Sequence, residues 1–158
     1  MTKPKLGFTL IETLVGVGVF AVLAAMTSIM LFAALRGARR AAAVAQVRNE
    51  GSYAMGVMSQ KLRFASGVPD CTVPNSVTFT SAPNNGVTTF SCAGTSITST
   101  GPNLISSKVQ TAGCSITCSP TGDQVNIVFT LVPAGVPQSV VDKASVTFDS
   151  QVQIRNAR

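Results

Sequence analysis

The 158-residue chain contains no histidine and no tryptophan, and it has a single tyrosine. Having no histidine excludes His-based catalytic dyads and triads and any His-containing zinc or haem site. Charge is also scarce: Asp, Glu, Lys and Arg make up 11% of the residues, against about 25% in ordinary soluble domains. Acidic residues number six and basic ones twelve, a formal charge of +6. A mean hydropathy of +0.37 is high for a cytosolic protein and low for a bundle of membrane helices. One membrane segment joined to one polar domain gives that average, and the length suits a single domain of ordinary size.

The positive charge is unevenly placed. Residues 1–63 hold eight basic side chains against Glu12 and Glu50, whereas residues 64–158 hold four against four. A nucleic-acid-binding module carries its basic patch on the folded domain, interleaved with aromatics. Here the cations Lys3, Lys5, Arg36, Arg39 and Arg40 flank an apolar run instead, so nucleic acid is not an expected partner of the neutral domain.

Thr13 to Leu35 are 23 consecutive residues without a charge. As a helix they span about 35 Å, enough for the ~30 Å hydrocarbon core of a bilayer. A secretory signal peptide also begins with basic residues and an apolar run, and Val22-Leu23-Ala24 resembles its cleavage site. Glu12 argues against that reading. A carboxylate at such a place costs up to ~2.5–3.5 kcal/mol toward the helix centre, and an acid kept there points to a function with a cationic partner.

Lys5-Leu6-Gly7-Phe8-Thr9-Leu10-Ile11-Glu12 resembles the processing motif of type IV prepilins and type II secretion pseudopilins. The resemblance covers the first 35 residues: a short basic leader ending in Gly, then Phe-Thr-Leu-Ile-Glu, then the apolar run. It implies that a membrane-embedded prepilin peptidase cuts between Gly7 and Phe8 and methylates the new amine of Phe8. It further implies partnership with other pilin subunits and an inner-membrane assembly platform, with Glu12 meeting the N-terminal amine of a neighbouring subunit as a registry device. The expected location is a single-pass inner membrane protein with a cytoplasmic N-terminus, which later enters an extracytoplasmic filament. Arg36, Arg39 and Arg40 then lie on the far side of the membrane, against the positive-inside tendency.

Past Leu35 no proline occurs until Pro69, and Val44, Val47, Gly51, Met55, Met58 and Leu62 recur at helix-face spacing. A single helix from Phe8 to about Ala65, ended by Ser66-Gly67 and Pro69, would be roughly 87 Å long. Its later half is expected to carry a docked domain. Residues 66–158 contain 13 Ser and 13 Thr, with apolar residues alternating among them. Strands are expected at Ser76–Ser81, Val87–Cys92, Gln124–Val132 and Ala144–Ile154, with turns at Asn84-Asn85-Gly86, Gly101-Pro102-Asn103, Thr121-Gly122-Asp123 and Pro133-Ala134-Gly135. The fold class is α+β, a long N-terminal helix packed against an antiparallel β-sheet, as the pilin resemblance also implies. The expected division is leader 1–7, membrane and polymerisation half 8–35, amphipathic half 36–65 and β domain 66–158.

Cys71, Cys92, Cys114 and Cys118 are even in number and lie in a part expected outside the cytoplasm, so disulfides are favoured over a Cys₄ metal site. Three pairings exist. Cys71–Cys92 closes about 22 residues, contributing around 3.4 kcal/mol by loop entropy. Its companion Cys114–Cys118 needs Ser115-Ile116-Thr117 to turn; if they are extended, the Cα atoms lie ~13 Å apart and the other pairings take over. No metal or cofactor is expected. With scattered Asp residues, no His and no nucleophile motif, the chain does not read as an enzyme. It reads as a filament subunit. Forty residues follow Cys118, so the C-terminal cysteine loop of several major pilins is not reproduced, which leans toward a minor pilin or pseudopilin. A major pilin and a non-polymerising anchored binding domain are the alternatives.

Overall fold

A computed structural model describes residues 9–81, 86–135 and 144–155. Helix α1 runs Leu10–Arg63, followed by β1 (Ala65–Asp70), β2 (Ser76–Ser81), β3 (Gly86–Ala93), β4 (Ser96–Ser99), β5 (Val109–Cys118), β6 (Gln124–Pro133) and β7 (Val146–Gln153). The chain forms two compact units, Met1–Ala41 and Ala42–Arg158. In the first unit, the described residues are one helical stretch. In the second, the last turns of α1 pack with antiparallel sheets, an α+β arrangement of pilin-like kind.

Two sheets stand where one was expected. β1-β2-β3-β4 form a four-stranded sheet and β5-β6-β7 a three-stranded one, each paired in chain order. Both contribute to a single core. Val47, Ala54, Met58 and Leu62 of α1 lie among Val77, Phe79, Phe90 and Ile97 of the first sheet and Val125, Ile127, Phe129 and Leu131 of the second. Strand β6 shows how the sequence produces this. Its odd-numbered residues 125–131 alternate apolar and sit on one face, the period-2 pattern of a half-buried strand, and it lies between β5 and β7.

The Ser/Thr content has a structural use. Thr78 faces Thr89, Ser91 faces Thr98 and Thr130 faces Thr147 across adjacent strands. Their hydroxyls hydrogen-bond at 3.0, 3.2 and 2.9 Å. Such directly opposed hydroxyl pairs stabilise the less buried face of a sheet.

Three strands were not among those expected. β1 occupies the segment that was expected only to end the helix: α1 stops at Arg63, and Ala65–Asp70 turn straight into an edge strand. Pro69 is tolerated there because an edge strand can leave one backbone position unpaired, and the register shifts between Ser66 and Asp70. β4 has only four residues. β5 is polar and glycine-containing, with a register shift between Thr111 and Gly113. Of the expected turns, Thr121-Gly122-Asp123 is held by Ser119 and Thr121 hydroxyls donating to the Asp123 carboxylate. Asn84 and Asn85 lie outside the described residues.

All four cysteines are oxidised, as Cys71–Cys118 and Cys92–Cys114. Of the three pairings left open, the sequential one is ruled out: Cys114 and Cys118 both belong to the extended β5, which carries them too far apart to bond each other. The observed Cα separations are 5.9 and 6.2 Å. Both bridges run from the first sheet and its flanking loop to β5, stapling one sheet to the other.

Candidate functional site

Within the first unit, the helix start is built by Thr9. Its hydroxyl and its carbonyl both accept from the Glu12 N–H, at 3.3 and 3.1 Å, and the carbonyl also accepts from the Thr13 N–H at 3.3 Å. These bonds satisfy amides that a helix start otherwise leaves open. Thr9-Leu10-Ile11-Glu12 thus has the Thr-x-x-Glu spacing of a capping box. It also sets Glu12 in the first turn, where the helix dipole favours a negative charge. The Glu12 side chain is exposed and makes no hydrogen bond or ion pair among the described residues.

Beyond Glu12 the helix surface is apolar all round and wholly exposed. Its most apolar 18-residue window has a mean hydropathy of 2.4, and none of it is buried. Leu10, Phe20 and Met30 are each more than 70% exposed, on different sides of the helix. A helix of this length and composition is able to cross a bilayer. The few hydroxyls in it are folded back: Thr13 donates to the Leu10 carbonyl at 2.8 Å, and Thr27 and Ser28 both donate to that of Ala24, at 3.0 and 2.8 Å. Such back-bonding conceals a hydroxyl that hydrocarbon would otherwise leave unpaired.

In the second unit the continuation of α1 changes character. Val47, Gly51, Ala54, Met58 and Leu62 are buried. Val44 and Met55, expected on the same stripe, are only half-buried, and Ala54 takes the central place instead. Gly51 is there for space: a Cβ at this position would collide with the Phe148 ring, which stacks on Phe129 with centroids 5.2 Å apart. Glu50, beside it, accepts the Ser106 N–H at 2.7 Å and the Ser106 hydroxyl at 2.6 Å, with Gln46 donating at 3.3 Å. Burial opposes the charge of Glu50. The Ser106 and Gln46 hydrogen bonds and the charge of Lys108 nonetheless hold its pKa below the ordinary carboxylate value. Lys61 lies 5.9 Å over the Phe90 ring and reaches the Ser99 hydroxyl at 3.5 Å.

The residues expected to be functional are therefore not gathered at one place. Gly7 and Phe8 lie outside the described residues; Glu12 stands alone on the exposed helix; the four cysteines are taken up by two bridges in the second unit. Among the described residues no three Cys, Asp or Glu side chains cluster as metal ligands would. The Glu50–Ser106 contact was not visible in the sequence, because it joins residues 56 positions apart.

Residues 2–28 match the family model of the prokaryotic N-terminal methylation motif, the signature of type IV pilins and pseudopilins. The match contains Gly7, Phe8, Glu12 and most of the apolar run. No curated protein and no solved structure matches the chain.

Proposed function

We propose that this chain is a structural subunit of a type IV pilus or related filament, cut between Gly7 and Phe8, methylated on the Phe8 amine and polymerised through its N-terminal helix. The methylation motif supports a processed, pilin-like subunit. The observation that carries the polymerisation reading is the isolation of Glu12. One acid sits in the first turn of α1, and the 23 residues that follow it are uncharged and exposed on every side; both features call for a partner. Apolar surface on this scale is covered by lipid or by other helices. A carboxylate carried into such surroundings is strongly unfavourable until a cation meets it. Cleavage after Gly7 would create that cation, the Phe8 amine, four residues before Glu12. Pairing it with the Glu12 of an adjacent subunit would satisfy both groups and set the axial register of one helix against the next.

The work proposed for the chain is assembly, and its family signature is structural rather than enzymatic. Two disulfides in the second unit suit a domain that passes to the oxidising side of the membrane. Within the class, a minor pilin or pseudopilin is favoured, since Cys114 and Cys118 pair back to Cys92 and Cys71 and do not bracket a loop with each other. Mass spectrometry of the mature N-terminus tests the reading directly. The expected product begins with N-methylated Phe8. A chain beginning at Ala25 would instead mark the apolar run as a signal peptide.

A further inference from the structure

Arg36, Arg39 and Arg40 follow immediately on Leu35, the last residue of the uncharged run. At 3.6 residues per turn, Arg39 and Arg40 lie about 60° to one side and about 40° to the other side of Arg36. The three side chains therefore occupy one arc of the helix, and all three residues are exposed. Ile29, Phe32 and Leu35 line a shallow groove together with Arg36 and Arg39, so an apolar ridge passes directly into cationic groups on the same face. The Arg36 Nε donates to the Phe32 carbonyl at 3.3 Å. That bond draws its side chain back toward the apolar stretch, the direction in which helical side chains lean. Its two terminal amino groups make no further hydrogen bond or ion pair among the described residues.

Depth singles out what these groups meet. Thr13–Leu35 rises about 35 Å, close to the hydrocarbon thickness, and Arg36–Arg40 rises a further ~6 Å, about one headgroup layer. Three arginines in that layer on the far side of a membrane are disfavoured by the positive-inside tendency, unless the layer itself supplies a partner. A guanidinium grips phosphate through two parallel N–H bonds, which a lysine cannot do.

We infer that Arg36, Arg39 and Arg40 form a binding site for the phosphate of an anionic phospholipid, whose acyl chain lies along Ile29, Phe32 and Leu35. This rests on reading Thr13–Leu35 as a membrane span. The site fixes the depth of the subunit in its leaflet and retains it there until assembly withdraws the helix.

The full chain is reconstituted into nanodiscs of equal parts phosphatidylglycerol and phosphatidylcholine, and the lipids it retains are counted by native mass spectrometry. The wild-type chain is expected to retain phosphatidylglycerol over phosphatidylcholine by at least tenfold, since each basic residue near an anionic surface strengthens attachment about fivefold and three act together. R36Q/R39Q/R40Q, still inserted, is expected to retain the two equally; should the triple variant not insert, R36Q is expected to lower the preference severalfold. Equal retention by the wild type, or an undiminished preference in the inserted variant, overturns the site. Release of the lipid by inorganic phosphate overturns it in favour of a free-anion site. A wild-type chain that fails to enter nanodiscs at all overturns the membrane reading on which it rests, a result distinct from insertion without preference.

Discussion

Gly51 and Glu50 are neighbours in α1 with opposite tasks. Gly51 makes room for Phe148, whereas Glu50 reaches out to hold Ser106. Gly51→Ala gains up to ~1 kcal/mol of helix propensity but forces the Phe148 ring off Phe129, an overpacking cost of about 1–3 kcal/mol. The net expectation is a loss of about 1–2 kcal/mol in urea unfolding. Adding Phe148→Leu should make the effect of Gly51→Ala smaller, because the two changes share one contact. Glu50→Gln should cost about 1 kcal/mol at neutral pH, since a charge-assisted acceptor pair becomes a neutral one. Its pH signature is distinctive. A carboxylate whose folded pKa is depressed contributes stability that is complete above its unfolded value, ordinarily 4.5, and that is lost as pH falls through the folded value. Asp123, held low by the Thr121 and Ser119 hydroxyls, and Asp70, held low by the Thr72 N–H, act in the same direction. Unfolding measured from pH 7 downward should therefore show stability falling below about pH 4.5, with a shallower fall in Glu50→Gln.

Among the elements, β5 is the one on which the second unit depends most. It pairs along its length with β6, carries two of the four cysteines and accepts both bridges, one from β3 and one from the loop after β1. Thr111 adds two more ties, its N–H donating to the Thr95 carbonyl at 3.0 Å and its hydroxyl to the Gly94 carbonyl at 2.9 Å. C71S/C118S opens the larger loop while leaving Cys92–Cys114 in place. It should lower stability by about 2–4 kcal/mol, read as a reduced urea midpoint under non-reducing conditions, and reductant should narrow the gap between variant and wild type. Yet β5 was the least visible element in the sequence, because its run Val-Gln-Thr-Ala-Gly-Cys-Ser-Ile-Thr-Cys lacks the alternation of large apolar residues that marks β6. β4 was missed through shortness and β1 through its Gly and Pro. The helix, by contrast, was legible almost to the residue, expected from Phe8 to about Ala65 and observed at Leu10–Arg63. A long apolar run, an unbroken helix-face stripe and terminal Gly and Pro leave few alternatives over that length.

For the whole molecule, the decisive question is whether Glu12 acts between subunits. Glu12→Ala removes a charge but no contact among the described residues, so folding of the chain should be unchanged by circular dichroism. Its incorporation into filaments, measured by immunoblotting of sheared filaments beside the wild type, should fall at least tenfold. Unchanged incorporation would sink the pairing of Glu12 with a neighbouring amine, and would favour an anchored domain that does not polymerise.

The sequence by itself determined those features that depend on order along the chain. These are the motif from Gly7 to Glu12, the exposed apolar helix after it, the arginines that close it, and the confinement of positive charge to the first 63 residues. Each follows from local spacing, which one helix or one bilayer thickness reads directly. Only the tertiary structure decided the cysteine pairing, the division into two sheets, the strand at Ala65–Asp70, and the meetings of Glu50 with Ser106 and of Gly51 with Phe148. The bridges and the two meetings join residues 22 to 97 positions apart. Local propensity is blind to such distances, and burial in a common core is what selects among the pairings it leaves open.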